Sequence, residues 1–263
     1  MPLADLGDVQ LNYQLDGDPT GRPLVFANSL GTDLHLWGAV LDRLPGGLRI
    51  IRYDLRGHGQ SSAPSAPYTM GALIRDAERL LDLLEVRDCI FVGLSIGGMI
   101  AQGLAVKRLD LMRGLVLSNT AAKIGTAANW RQRIEAIRRD GLESVADSIM
   151  ERWFAPTFRK SPQMLQWRDG LLRQSIEGYI GCCTAIAGTD FYTPTSGLRL
   201  PTLGIAGSDD GATPADLVRE TVDLIPGSKF EVIRRAGHLP CVEQPDAFAD
   251  QLITFLKEVG HID

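Results

Sequence analysis

Cys89-Ile90-Phe91-Val92-Gly93-Leu94-Ser95-Ile96-Gly97-Gly98 carries an apolar run into Gly-x-Ser-x-Gly and then into a helical pattern. A serine between a buried strand and a helix, with glycine two positions before and after it, fits a tight strand-to-helix turn. Neighbouring backbone must pass close by in such a turn, so only tiny residues suit the flanking sites. The turn presents the seryl hydroxyl as a nucleophile. A glycine-rich turn before a helix can instead cradle phosphate. That use needs Gly-x-x-x-x-Gly-Lys-Ser/Thr or Gly-x-Gly-x-x-Gly, and neither occurs here or around Gly57-His58-Gly59.

Residues 89–106 form an uncharged run of eighteen, long enough for a hydropathy count to suggest a membrane span. The four glycines, Ser95 and Gln102 within it argue for a buried strand followed by a buried helix. Further β-branched and apolar runs lie at Leu24–Asn28, Leu48–Tyr53, Gly114–Leu117, Thr202–Ala206 and Lys229–Ile233. Helical periodicity marks Met70–Leu84, Gly98–Lys107, Pro214–Leu224 and Pro245–Lys257. This alternation predicts an α/β fold, a mostly parallel sheet with helices on both faces. Ala4–Asp16 alternates as an antiparallel hairpin on the sheet edge would.

Between Asn119 and Pro201 helical stretches follow one another around Trp130–Arg139, Leu142–Phe154, Pro162–Arg173 and Ile176–Ala187, with no convincing strand. The expected organisation is a core of residues 1–119 and 201–263, with a helical cap, 120–200, inserted over the strand ends where the serine emerges.

With 263 residues, 44% apolar and 22% charged, the chain can bury one large core. A net charge of -5 and only short basic clusters, Arg138-Arg139 and Arg234-Arg235, speak against nucleic acid as a partner. Asp5 and Asp8 stand where a secretory signal would be apolar, so a cytoplasmic location and no membrane association are expected. The four cysteines, at 89, 182, 183 and 241, lack metal-ligand spacing and read as buried thiols, with no metal site.

A seryl hydroxyl needs a base within hydrogen-bond reach and a third group to orient that base. Of the four histidines, His261 lies at the end of the chain, where fraying is expected. His35 sits at an early helix start and His58 in a turn. His238, in Ala236-Gly237-His238-Leu239-Pro240, follows the last strand and fits the order serine, acid, histidine. The acid should follow a strand between Ser95 and His238. Asn119, after one such strand, has no carboxylate, whereas Gly207-Ser208-Asp209-Asp210-Gly211 offers two. Adjacent side chains in a turn point apart, and the residues alone do not choose between Asp209 and Asp210. Two backbone N–H donors would complete an oxyanion hole, where one donor contributes about 2.7–4 kcal/mol. Ile96, at a helix N-terminus, and Leu30, in the loop after Leu24–Asn28, are the candidates.

The blocks Arg56-Gly57-His58-Gly59-Gln60-Ser61, Gly93–Gly98, Gly207–Pro214 and Gly237-His238 with Glu243-Gln244-Pro245 resemble those of the α/β-hydrolase family, along essentially the whole chain. The family's Gly-x-x-Asp-x-x-x-Pro block falls on Gly207, Asp210 and Pro214, so the resemblance implies Asp210 as the acid. Many members carry His-Gly in the oxyanion loop; this chain has Asn28-Ser29.

Within the family the chain resembles the 3-oxoadipate enol-lactonases of aromatic catabolism. The matching stretches are Asn28–Asp33, Ser118–Gly125, Trp130-x-x-Arg133-Ile134, Arg152-Trp153-Phe154 and Gly178–Cys183. The resemblance implies hydrolysis of a small-molecule lactone without cofactor, with Ser95, Asp210 and His238 as a catalytic triad. The implied substrate carries a carboxylate, for which Trp130 and Arg133, on one helix face, are candidate ligands; cap packing and a solvated charge is the alternative for this pair. A broad small-ester carboxylesterase, a carbon-carbon bond hydrolase and a non-catalytic ligand receptor or scaffold on the same fold are the competing functions.

Overall fold

The computed structural model describes residues 2–263. Its strands are β1 (Leu3–Asp5), β2 (Gln10–Gly17), β3 (Arg22–Ala27), β4 (Leu48–Tyr53), β5 (Cys89–Leu94), β6 (Met112–Ser118), β7 (Thr202–Gly207) and β8 (Lys229–Ile233), side by side in the order β1-β2-β4-β3-β5-β6-β7-β8. β1 and β2 form the expected antiparallel edge, and β3 to β8 run parallel. Parallel strands need crossovers, and the helices that provide them cover both faces. β5 is therefore buried along its whole length, which is why its six residues read as a continuous apolar run rather than an alternation.

The helices are α1 (Gly38–Leu41), α2 (Met70–Leu83), α3 (Ile96–Lys107), α4 (Ala127–Asp140), α5 (Glu143–Trp153), α6 (Gln163–Leu172), α7 (Ile176–Ala187), α8 (Tyr192–Ser196), α9 (Ala215–Val222), α10 (Pro240–Glu243) and α11 (Pro245–Glu258). The uncharged run from residue 89 is β5 followed by α3. Among the described residues no helix is long and apolar enough to cross a membrane. α3 opens at Ile96, two residues before its periodicity suggests, because the chain leaves β5 through a single residue, Ser95. α4 opens at Ala127, where Thr126 accepts a hydrogen bond from Asn129 N at 3.2 Å. α4 to α8 all fall between β6 and β7, and no strand interrupts them.

One core cluster runs through the sheet and its helices. Trp37, fully buried, packs between Phe26 and Phe248 with ring centroids 4.8 and 5.9 Å away. Its indole N–H donates to Asn28 Oδ1 at 2.8 Å, so this large side chain is buried without an unmet polar group. Truncation to alanine should cost about 3–5 kcal/mol. All four cysteines are free and buried. The chain end departs from the expected fraying: His261 is 1% exposed, its N–H donates to Leu256 O at 2.8 Å, and Arg22 Nη1 holds Gly260 O.

The parallel strands end together at one edge of the sheet. Ala27 pairs with Gly93, Leu94 with Ser118, Ser118 with Ile205, and Gly207 with Ile233. The loops after β3, β5, β6, β7 and β8 therefore converge on one place. They carry Ser29 and Leu30, Ser95, Asn119, Asp210 and His238.

Candidate active site

Ser95 sits at φ 59°, ψ -118°, a left-handed conformation uncommon for a residue with a side chain. The glycines around it make the turn possible. A Cβ on Gly93 would come within 2.3 Å of Gly97 O, and one on Gly97 within 2.3 Å of Ala27 O. Ser95 N donates to Ser118 O at 3.0 Å, and Thr120 Oγ1 donates to Ser95 O at 2.6 Å. Neighbouring loops thus hold the turn on both sides.

Asp210 and His238 meet at 2.8 Å through Oδ2 and Nδ1. Asp209 points elsewhere: it is exposed and accepts from Ser208 Oγ at 2.7 Å. Asp210 Oδ2 also accepts from Asn119 Nδ2 at 2.8 Å and Thr213 Oγ1 at 2.8 Å, while Oδ1 accepts from Ala212 N at 2.7 Å and Thr213 N at 3.0 Å. Burial works against this carboxylate, but the His238 charge, then the hydrogen bonds from His238, Asn119 and Thr213 N, outweigh it and hold its pKa below the ordinary value. When the imidazole is neutral, the same ionised acceptor favours the tautomer with the proton on Nδ1, which leaves a lone pair on Nε2. Nε2 faces Ser29 Oγ at 3.5 Å, and Ser95 opens on the same cavity. Among the described residues Ser95 Oγ makes no hydrogen bond to His238; catalytic hydrogen bonds are often long or poorly aligned before substrate binds.

The histidine loop is tied to the segment after α5. His238 N donates to Trp153 O at 2.7 Å, and Gly211 N, beside Asp210, to Arg152 O at 3.1 Å. Glu243 accepts from Gly237 N at 2.6 Å and Ala155 N at 2.9 Å. Burial pushes the Glu243 carboxyl up to about 7 against those two N–H groups.

The loop carrying Leu30 is held from beneath. Asn28 Nδ2 donates to Tyr53 O at 2.8 Å, and Gly31 N donates to His58 Nε2 at 3.0 Å. Burial depresses the His58 pKa to about 4, in keeping with a neutral ring whose Nε2 accepts and whose Nδ1–H points at Arg56 O, 3.3 Å away. The Leu30 and Ile96 N–H groups make no hydrogen bond to a described residue; Ile96 follows the serine in the chain and Leu30 lines the same cavity as Ser95.

A cavity of about 190 Å³ opens above the serine, lined by Ser29, Leu30, Ser95 and His238 from the core and by Trp130, Arg133, Arg152 and Tyr179 from the inserted helices. Arg133 stacks on the Trp130 ring at 4.9 Å, and Trp130 Nε1 donates to Ile124 O at 2.7 Å. Both candidate substrate ligands thus stand in the cavity wall. Two arginines line it and, among the described residues, no carboxylate does. Among the described residues no group of three or more His, Cys, Asp or Glu could hold a metal ion. Asn119, Thr213, Ser29 and Arg152 are site residues that motif reading did not single out for these roles; their only sequence signal is adjacency to strand ends and to matched blocks.

Residues 24–251 match the model of the alpha/beta hydrolase family. The chain is 38% identical over 252 residues to 3-oxoadipate enol-lactonase 2 of Acinetobacter baylyi, covering 95% of this chain and 94% of that protein. Its structure is similar to that of the enol-lactonase from Burkholderia xenovorans, with TM-score 0.94, 34% identity, and 97% and 100% of the two chains covered. It is also similar to a malate-bound thermophilic esterase from Thermogutta terrifontis, with TM-score 0.90, 30% identity, and 97% and 96% covered. The serine turn, the strand order and these likenesses agree: the chain belongs to the alpha/beta hydrolase family.

Proposed function

We propose that the protein hydrolyses 3-oxoadipate enol-lactone to 3-oxoadipate, with Ser95 as nucleophile, His238 as general base and acid, and Asp210 as the group that orients His238. The observation that carries this reading is the cavity wall: Ser95 and His238, backed by Asp210, open on a small space lined by Arg133 and Arg152 and, among the described residues, by no carboxylate. Such a wall favours a small anionic substrate. The similarity to two enol-lactonases supports the same substrate.

In the proposed course, Ser95 Oγ attacks the lactone carbonyl while His238 Nε2 takes its proton. The carbonyl oxygen becomes an alkoxide held by the Leu30 and Ile96 N–H groups. Collapse breaks the bond from the carbonyl carbon to the ring oxygen, that oxygen gains the proton held by His238, and the resulting enol becomes a ketone. Water, losing a proton to His238, then releases the acyl group from Ser95. Trp130 and Arg133 bind the free carboxylate, and the helices of residues 120–200 act as a cap over the serine. The four buried free thiols support a reducing, cytoplasmic setting.

The test is a substrate panel: freshly generated enol-lactone, a neutral γ-lactone and an aryl acetate. A kcat/KM for the enol-lactone well above that of both neutral substrates supports the proposal. Equal or better cleavage of the neutral esters would leave a general esterase, the reading that the similarity to the Thermogutta terrifontis esterase favours.

A further inference from the structure

We propose that Ser29 is a second catalytic hydroxyl, which hydrogen-bonds to the leaving-group oxygen and relays to it the proton held by His238. This rests on the roles of Ser95 and His238 proposed above, but not on the identity of the substrate.

Ser29 is 1% exposed and lies in the cavity wall with Ser95. A loop serine ordinarily turns its hydroxyl to nearby backbone. Ser29 does not: its hydroxyl partner among the described residues is His238 Nε2, 3.5 Å away and 209 positions along the chain. The backbone beneath it is fixed. Thr32 donates to Ser29 O through both N, at 3.2 Å, and Oγ1, at 2.9 Å, while Asn28 is held by Trp37 and Tyr53. Glycine, common in the family at this position, would bring no hydroxyl here.

Nε2 is the atom that holds the proton taken from Ser95. When the tetrahedral intermediate collapses, the bond from its central carbon to the leaving oxygen breaks and the electron pair stays on that oxygen. Ser29 gives its hydroxyl proton to the leaving oxygen as Nε2–H gives its own to Ser29 Oγ. Two protons move for a net transfer of one, the imidazole returns to the neutral form and Ser29 is unchanged. An enol leaving group, poorer than a nitrophenolate, gains most from such a donor.

Single-turnover acylation by phenyl acetate and 4-nitrophenyl acetate, in the wild type and in Ser29→Ala, Ser29→Thr and Ser95→Ala, tests the relay. For Ser29→Ala the expected loss is about 100-fold or more with phenyl acetate, the range of a lost general acid. With 4-nitrophenyl acetate, whose leaving group needs no proton, the expected loss is about twofold or less. Ser29→Thr should restore the phenyl acetate rate. The ratio between the two substrates does not depend on how much of a variant is folded. Equal losses on both esters, or none, would overturn the relay while leaving Ser95 as the nucleophile. Absence of Ser95-dependent turnover of both esters and of the enol-lactone would overturn both the relay and the proposed function.

Discussion

Asn119 Nδ2 lies 2.8 Å from Asp210 Oδ2, the oxygen that also meets His238 Nδ1 at 2.8 Å. Asn119 lacks the carboxylate that an acid needs, and the structure turns that lack to use. An amide at the end of β6 donates where a second carboxylate would repel. Its φ of 45° and a further bond to Gly237 O at 3.2 Å aim it at the acid and the histidine loop together.

Asn119→Ala should therefore lower kcat. One hydrogen bond to a charged group is worth about 1.5–3 kcal/mol, so a loss of about 10- to 100-fold is expected if most of it bears on the imidazole. Steady-state kinetics on an aryl acetate, with Tm measured beside it, checks this. An unchanged kcat would make the contact purely structural.

Asp210→Asn should cut kcat by about 10⁴-fold, because an amide no longer selects the Nδ1–H tautomer. Asp209→Asn should change kcat less than about threefold, since the Asp209 side chain is exposed and bonded only to Ser208, while the backbone N–H that ties this turn to Ala236 O is unaffected by the substitution. Comparable losses in two folded variants would reverse the assignment.

Much of this arrangement was legible in the sequence, and the limits have physical causes. Gly93 and Gly97 could be read because backbone contacts near 2.3 Å leave no room for a Cβ, a demand that survives in the residue type. His238 could be found by its place after the last strand. Asp209 and Asp210 could not be separated from residues alone, since a one-residue step in a turn decides which side chain faces inward; the family block located Asp210. Asn119, Thr213 and Ser29 escaped because small polar residues at strand ends are common, and only the meeting of five strand ends gives these ones partners. The burial of His261 escaped because terminal residues fray unless tied down, and the contact that helps to tie this one is made by Arg22, at the far end of the sequence.

His58 should make stability depend on pH. Its folded pKa, about 4, lies below the unfolded value of about 6.5, so between them the unfolded chain binds more protons. The stability it contributes is intact above pH 6.5 and is lost as pH falls towards 4, up to about 3 kcal/mol. Denaturant unfolding of wild type and His58→Asn from pH 7.5 to 4 should show the wild type's advantage shrinking as pH falls. A gap independent of pH would count against a neutral buried His58.

Arg133→Met and Arg152→Met should raise KM for the carboxylate-bearing lactone by about tenfold or more each, while shifting KM for a neutral aryl acetate by less than about twofold. A charge-assisted hydrogen bond lost from a partly open cavity has about this magnitude. The two KM ratios measured side by side separate carboxylate binding from packing. Equal shifts on both substrates would leave the arginines as wall residues.

The most direct measurement is the turnover of freshly generated 3-oxoadipate enol-lactone by the purified wild type and by Ser95→Ala. Rapid ring opening to 3-oxoadipate is expected, with kcat lower by about 10⁶-fold in Ser95→Ala, the scale seen when a seryl nucleophile is removed. Loss of the lactone at the same rate with Ser95→Ala, or no loss above the uncatalysed rate with wild type, would contradict it.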